Sequence, residues 1–69
     1  MTETPQDSAP STAEVIARRF HEEYEHLAPH FHYETRRESA VPWDDVPANN
    51  KALMVAVVNA LLLEGTIRV

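Results

Sequence analysis

Four histidines, His21, His26, His30 and His32, stand within a dozen positions of one another, interleaved with the carboxylates Glu22, Glu23, Glu25 and Glu34. Imidazole and carboxylate are ligands that zinc takes, so metal chemistry is the first to weigh. The run His21-Glu22-Glu23-Tyr24-Glu25-His26 has the outline of a zinc-protease motif, but that motif needs histidines four apart so that both face the metal. Here they are five apart and diverge. His26 and His30 have the right separation, yet Pro29 lies between them and breaks the helix they would share. A site drawn from His26, His30 or His32 with Glu25 or Glu34 is the remaining metal reading; surface or edge histidines are the stronger one, so neither a metal nor a cofactor is expected. No nucleophile stands with a plausible base, a single glycine cannot make a phosphate-cradling loop, and the chain is too short to wall a catalytic cavity. An enzyme is not expected.

The second constellation is Val41-Pro42-Trp43-Asp44-Asp45-Val46-Pro47, which holds the one tryptophan of the chain between two prolines and beside two acids. An indole fixed on a stiff turn at a helix entrance can serve in two ways. As a binding ledge, Trp43 with Tyr24 would clamp a flat, nucleotide-type ligand, and Asp44 and Asp45 would accept its amino or ribose hydroxyl protons. As a core wedge, Trp43 packs over the first helix with its N–H satisfied by a carboxylate or carbonyl, and the two aspartates serve as helix caps that need no ligand. The wedge carries more weight.

The Pro-Trp-Asp-Asp-Val-Pro core, the Asn50-Lys51-Ala52 that follows and Leu62-Leu63-Glu64-Gly65 further on resemble the closing half of ryanodine-receptor repeat domains. Upstream, Ile16-Ala17 and His21-Glu22-Glu23-Tyr24 are similar to the first-helix pattern of the same domains, so the likeness runs from about Ile16 to Val69. It implies a small helical binding module of the kind found in calcium-release channels and as a bacterial or phage accessory protein. Carried over residue by residue, it adds His21 and Asn50 to Trp43, Tyr24, Asp44 and Asp45 as candidate ligand-binding positions. The chain departs from the family in the short, charged connection from Pro29 to Ala40, so no ligand site built from that loop is carried over.

The elements that must position these residues follow from hydrophobic period and punctuation. Residues 1–10 hold two prolines, two acids and almost nothing apolar, which predicts a disordered acidic tail, with one domain over 11–69. Ser11-Thr12-Ala13-Glu14 has the form of a capping box, and the first helix is predicted from there to about Ala28, ending at Pro29. Ile16, Phe20, Tyr24, Leu27 and Phe31 recur at helical spacing, with Ala13 and Ala17 beside them, and predict a stripe on a partner. Arg18 and Arg19 oppose Glu22 and Glu23 on a solvated face. Phe31 to Arg36 and Thr66 to Val69 alternate like strands and predict a small ribbon. A second helix is predicted from Asp45 or Val46, with Asp45 as N-cap, to Gly65 as the left-handed residue beyond its end. The fold class is therefore mainly α: two principal helices joined by a loop and a tryptophan-containing turn, with a short C-terminal β ribbon.

The second helix is apolar nearly all round from Leu53 to Leu63, interrupted by Asn59, and such a helix must be buried nearly all round. One facing helix cannot cover it. Met54, Val55, Val58 and Leu62 are therefore candidate interface residues, with a homodimer as the leading partner reading, another protein second, and cover from the tail and loop third. Eleven acids against six bases, a net charge of -5, oppose a nucleic-acid partner. The alternative class is a winged helix-turn-helix regulator, suggested by a helix that closes at Gly65 before a β-branched end; its recognition helix would offer little beyond Asn49, Asn50 and Lys51 to base edges. The absence of cysteine removes disulfides and thiolate sites and suggests a cytoplasmic setting. The apolar run is too short to span a bilayer.

Overall fold

The computed structural model describes residues 11–69, and the predicted disordered tail lies outside the described residues. The chain is mainly helical: α1 (Thr12–Leu27), a 3₁₀ turn (Ala28–Phe31), a second 3₁₀ turn (Trp43–Asp45) and α2 (Ala48–Glu64). Both halves of the predicted capping box form. The Glu14 amide donates to Ser11 Oγ at 3.1 Å, and the Ser11 amide donates to Glu14 Oε1 at 3.4 Å. Two orphan donors of the first turn are thus satisfied, and the Glu14 charge opposes the positive end of the helix dipole.

At the other end of α1, Pro29 sits at the start of the 3₁₀ turn and its missing donor forbids another α-helical turn. His32 then adopts a left-handed conformation, φ 57°, which reverses the chain. The predicted ribbon is corrected here, since no strand exists among the described residues. The amides it would have used go elsewhere: Tyr33 N–H donates to Ala28 C=O at 3.0 Å and His32 N–H to Pro29 C=O at 3.1 Å. The linker is instead tied down by side chains. Thr35 Oγ1 donates to Glu25 Oε1 at 2.7 Å, and His21 holds Val41 further along.

The start of α2 also differs from expectation. Residues Trp43–Asp45 close a 3₁₀ turn of their own, with Val46 N–H donating to Trp43 C=O at 3.1 Å. Val46 is then extended because it precedes Pro47, whose ring disfavours the α region for the residue before it. The helix therefore begins only at Ala48, with Pro47 at the cap position and no side-chain cap, and Asp45 is exposed rather than an N-cap. Gly65 ends the helix as predicted. Its φ of +81° requires glycine, although a β-carbon there would meet nothing within 4 Å.

The core forms where Ala13 and Ala17 of α1 meet Val58 of α2 and the Trp43 ring, with Ile16, Met54, Val55, Leu62 and Ile67 packed around them. Two alanines at the contact let the helix backbones approach closely. This overturns the predicted α1 stripe. The residues turned inward are Ala13, Ala17 and His21, while Phe20, Tyr24, Leu27 and Phe31 are all exposed, the last not in α1 at all. The spacing of the large side chains is helical, but α2 and Trp43 settle on the small edge of that apolar arc and leave the bulky edge open.

Candidate functional site

Trp43 is the pivot of one flank of the helix pair. Pro42 sets an extended approach, the 3₁₀ turn aims the indole back at α1, and the ring ends 7% exposed. His21 lies beside it, 4% exposed, with ring centroids 5.8 Å apart. Its Nε2–H donates to the Val41 carbonyl at 2.7 Å, so a histidine on α1 latches the loop that carries the tryptophan. Lys51 Nζ stands 5.8 Å from the centroid of the indole ring, within cation–π range. The shortest account of Trp43, His21 and Lys51 together is a closed joint.

Tyr24 is not part of that joint. It stacks on Phe20 with centroids 5.8 Å apart and meets Tyr33 edge-on at 6.3 Å, so the two rings expected to clamp a flat ligand have different neighbours. The Tyr33 hydroxyl alongside pushes the Tyr24 phenol above its ordinary pKa, by hydrogen bonding first and by charge second. Asp44 and Asp45 are exposed and Asn50 is half-buried at the start of α2. An open cleft of about 620 Å³ does border Trp43, between the α1 N-terminus and Lys51, Val55 and Asn59, but the indole shows it little surface.

The histidines separate in the same way. His26 and His30 come to 5.8 Å despite Pro29, because the 3₁₀ turn continues the chain's rotation past the end of α1. No group of three metal-ligating side chains is assembled among the described residues. Glu22 accepts from Arg18 Nε at 3.1 Å and Arg19 Nη1 at 2.9 Å, and Glu23 accepts from Arg19 Nη2 at 2.8 Å. The hydrogen bonds from Arg18 and then Arg19 hold the Glu22 carboxyl below its ordinary pKa.

The other flank of the helix pair gathers large apolar side chains from both helices. Phe20 of α1 and Leu53, Val57 and Leu61 of α2 wall a groove of about 320 Å³ floored by Ala17 and Val58, and none of its lining is polar. Phe20 is 62%, Leu53 63% and Val57 50% exposed. Beyond Phe20 the apolar surface continues over Ile16, Tyr24 and Leu27. Of the interface candidates, Val58 is buried and Val55 and Leu62 pack on the core cluster, while Met54 packs on that cluster and also lines the groove; the exposed face of α2 bears Leu53, Val57 and Leu63. A helix without a polar side gives no period from which to tell its inner from its outer face. The signal that was available is the pair Ala13 and Ala17, which marks where α2 must approach.

Comparison with family models, with curated proteins and with solved structures returns no match to this chain. The reading of function therefore stands on the geometry. No helix among the described residues is long and apolar enough to cross a membrane.

Proposed function

We propose that this chain is a noncatalytic interaction module that presents the open flank of its helix pair to a protein partner. The observation that carries the reading is the groove without polar lining between Phe20 and Leu53, Val57 and Leu61, continuous with the exposed Tyr24 and Leu27. Contiguous apolar surface of this kind on a small domain marks an interaction site, and grooves between two helices receive apolar side chains of a partner. Several polar side chains, by contrast, are engaged in structure: His21 in the loop latch, Thr35 and Glu25 in the linker tie, Glu22 and Glu23 in ion pairs with arginines. On this reading the likeness to ryanodine-receptor repeats concerns the tryptophan turn as a scaffold part, and Trp43 is a wedge rather than a nucleotide platform.

The test is binding of the apolar dye anilinonaphthalene sulfonate to native protein at submicromolar concentration. Saturable dye fluorescence is expected from the wild type and its loss from Val57→Glu, with far-ultraviolet circular dichroism unchanged. Dye binding that survives Val57→Glu, or none by the wild type, would overturn the proposal. Saturable quenching of Trp43 by adenine nucleotides would instead favour the cleft beside Lys51.

A further inference from the structure

We infer that the occupant of the open flank is a second copy of this chain, packed about a two-fold axis so that two helix pairs close into a four-helix bundle. The inference rests on the interaction-module reading and names its partner. Three observations point to self-pairing.

The first is shape. An interface about a two-fold axis must be self-complementary, because the same patch serves both subunits. This flank holds a projection and a recess side by side: the Phe20 ring, mostly exposed, and the groove of about 320 Å³ next to it walled by Leu53, Val57 and Leu61. Rotating a copy by half a turn delivers each Phe20 to the other's groove, and both recesses are filled by one operation.

The second is charge. The chain carries a net charge of -5, which would repel a copy if it fell on the contact. It does not fall there. Between Lys51 and Glu64 the sequence of α2 holds no charged residue, and Lys51 is turned to the Trp43 ring on the other flank. On the rim the charges come in opposite pairs: Arg19 with Glu23 at 2.8 Å on α1, and Arg36 with Glu38 at 3.7 Å beside Leu53. A seam this neutral offers nothing for a charged partner to recognise and no penalty to a like-charged one.

The third is area. The exposed fractions of Phe20, Tyr24, Leu27, Leu53 and Val57 leave on the order of 500 Å² of apolar side chain uncovered, against about 800 Å² per partner in a stable interface. Ile16, Met54, Leu61 and the stem of Arg19, which line the same flank, add to it. The result is the packing that an isolated helix pair lacks: helices of 16 and 17 residues, each given neighbours on two sides, as in four-helix bundles.

Sedimentation equilibrium of the full chain from nanomolar to high micromolar concentration tests this. The wild type is expected to double its mass across that range, and Phe20→Ser and Val57→Glu to stay monomeric throughout with helicity and Trp43 emission of the wild type. Phe20→Ser is the safer variant, since the ring is mostly exposed and its loss leaves the monomer core intact. A wild type that stays monomeric at high micromolar concentration while binding the apolar dye overturns self-pairing and leaves the module reading standing with a different protein as partner. If it neither doubles nor binds dye, both readings fall. A dimer that persists in both variants overturns the inference too, because the copies then meet on another face.

Discussion

The two flanks of this helix pair differ in how they treat apolar surface. On the covered flank, small side chains face a single large one: Ala13 and Ala17 against Trp43, with His21 donating to Val41 to hold the loop in place. On the open flank the order is reversed, with Phe20, Leu53 and Val57 standing out over Ala17 and Val58 and no polar group among the lining. The first arrangement is complete within one chain, since its buried polar atom has a partner at 2.7 Å and its bulky ring is 7% exposed. The second is made of the same residue types but lacks the cover. The contrast teaches that α2 is divided by its surroundings rather than by its own pattern: one side is covered within the chain and the other is left open.

The comparison breaks most readily at Trp43. Trp43→Ala should cost about 3 to 5 kcal/mol, read by urea unfolding followed with circular dichroism; a loss under 1 kcal/mol, the size of an ordinary surface change, would mean that the covered flank is not what holds the helices together. Next in size is the latch. His21→Ala leaves the Val41 carbonyl without its donor and should cost about 1 to 3 kcal/mol, with His21→Gln recovering part of it if a donor is what matters. Ser11→Ala acts on the end of α1 that both flanks share, and should cost about 1 kcal/mol through the lost cap; thermal melts that coincide with wild type would remove the capping box from the account.

The open flank should respond in the opposite sense. In dilute protein, Phe20→Ser should change the unfolding free energy by less than about 0.5 kcal/mol, as for an exposed position, and a larger effect would show that the ring already belongs to the monomer core. The smallest effect concerns the solvated face. Because the Glu22 carboxyl is held below its ordinary pKa by Arg18 and Arg19, its contribution to stability is present above the ordinary carboxylate value of about 4.5 and is lost as pH falls through the lower, folded-state value. A carbon-detected titration should find the Glu22 pKa depressed in the wild type and raised toward normal in Arg18→Gln. An unshifted Glu22 would mean that those exposed ion pairs have no consequence in solution.

Local chemistry made several parts legible from the residues themselves. The Ser11–Glu14 box, the stop at Pro29 and the left-handed Gly65 each depend on one or two residues whose backbone preference does not need the rest of the fold. The mainly helical class followed from the same signals. Where two local signals competed, the reading failed: Asp45 is a good cap residue, but Pro47 forces Val46 out of the helical region and postpones α2 to Ala48. The alternating ends, Phe31 to Arg36 and Thr66 to Val69, show a related limit, since alternation permits a strand but only a paired backbone makes one, and here the amides of His32 and Tyr33 are taken by the 3₁₀ turn.

The sequence by itself determined where the helices begin and end on the α1 side, that α2 is too apolar for one neighbour, and that the Trp43 turn stands between two prolines. Only the tertiary structure decided which edge of each apolar arc is inside. That choice depends on how closely two backbones can approach, and hence on Ala13 and Ala17 meeting Val58 beneath the indole, a packing geometry that helical spacing does not encode. The same choice turned Val58 inward and Val57 outward, one residue and about 100° of helix apart, and so placed the open apolar surface on side chains that no periodicity could have distinguished from the core.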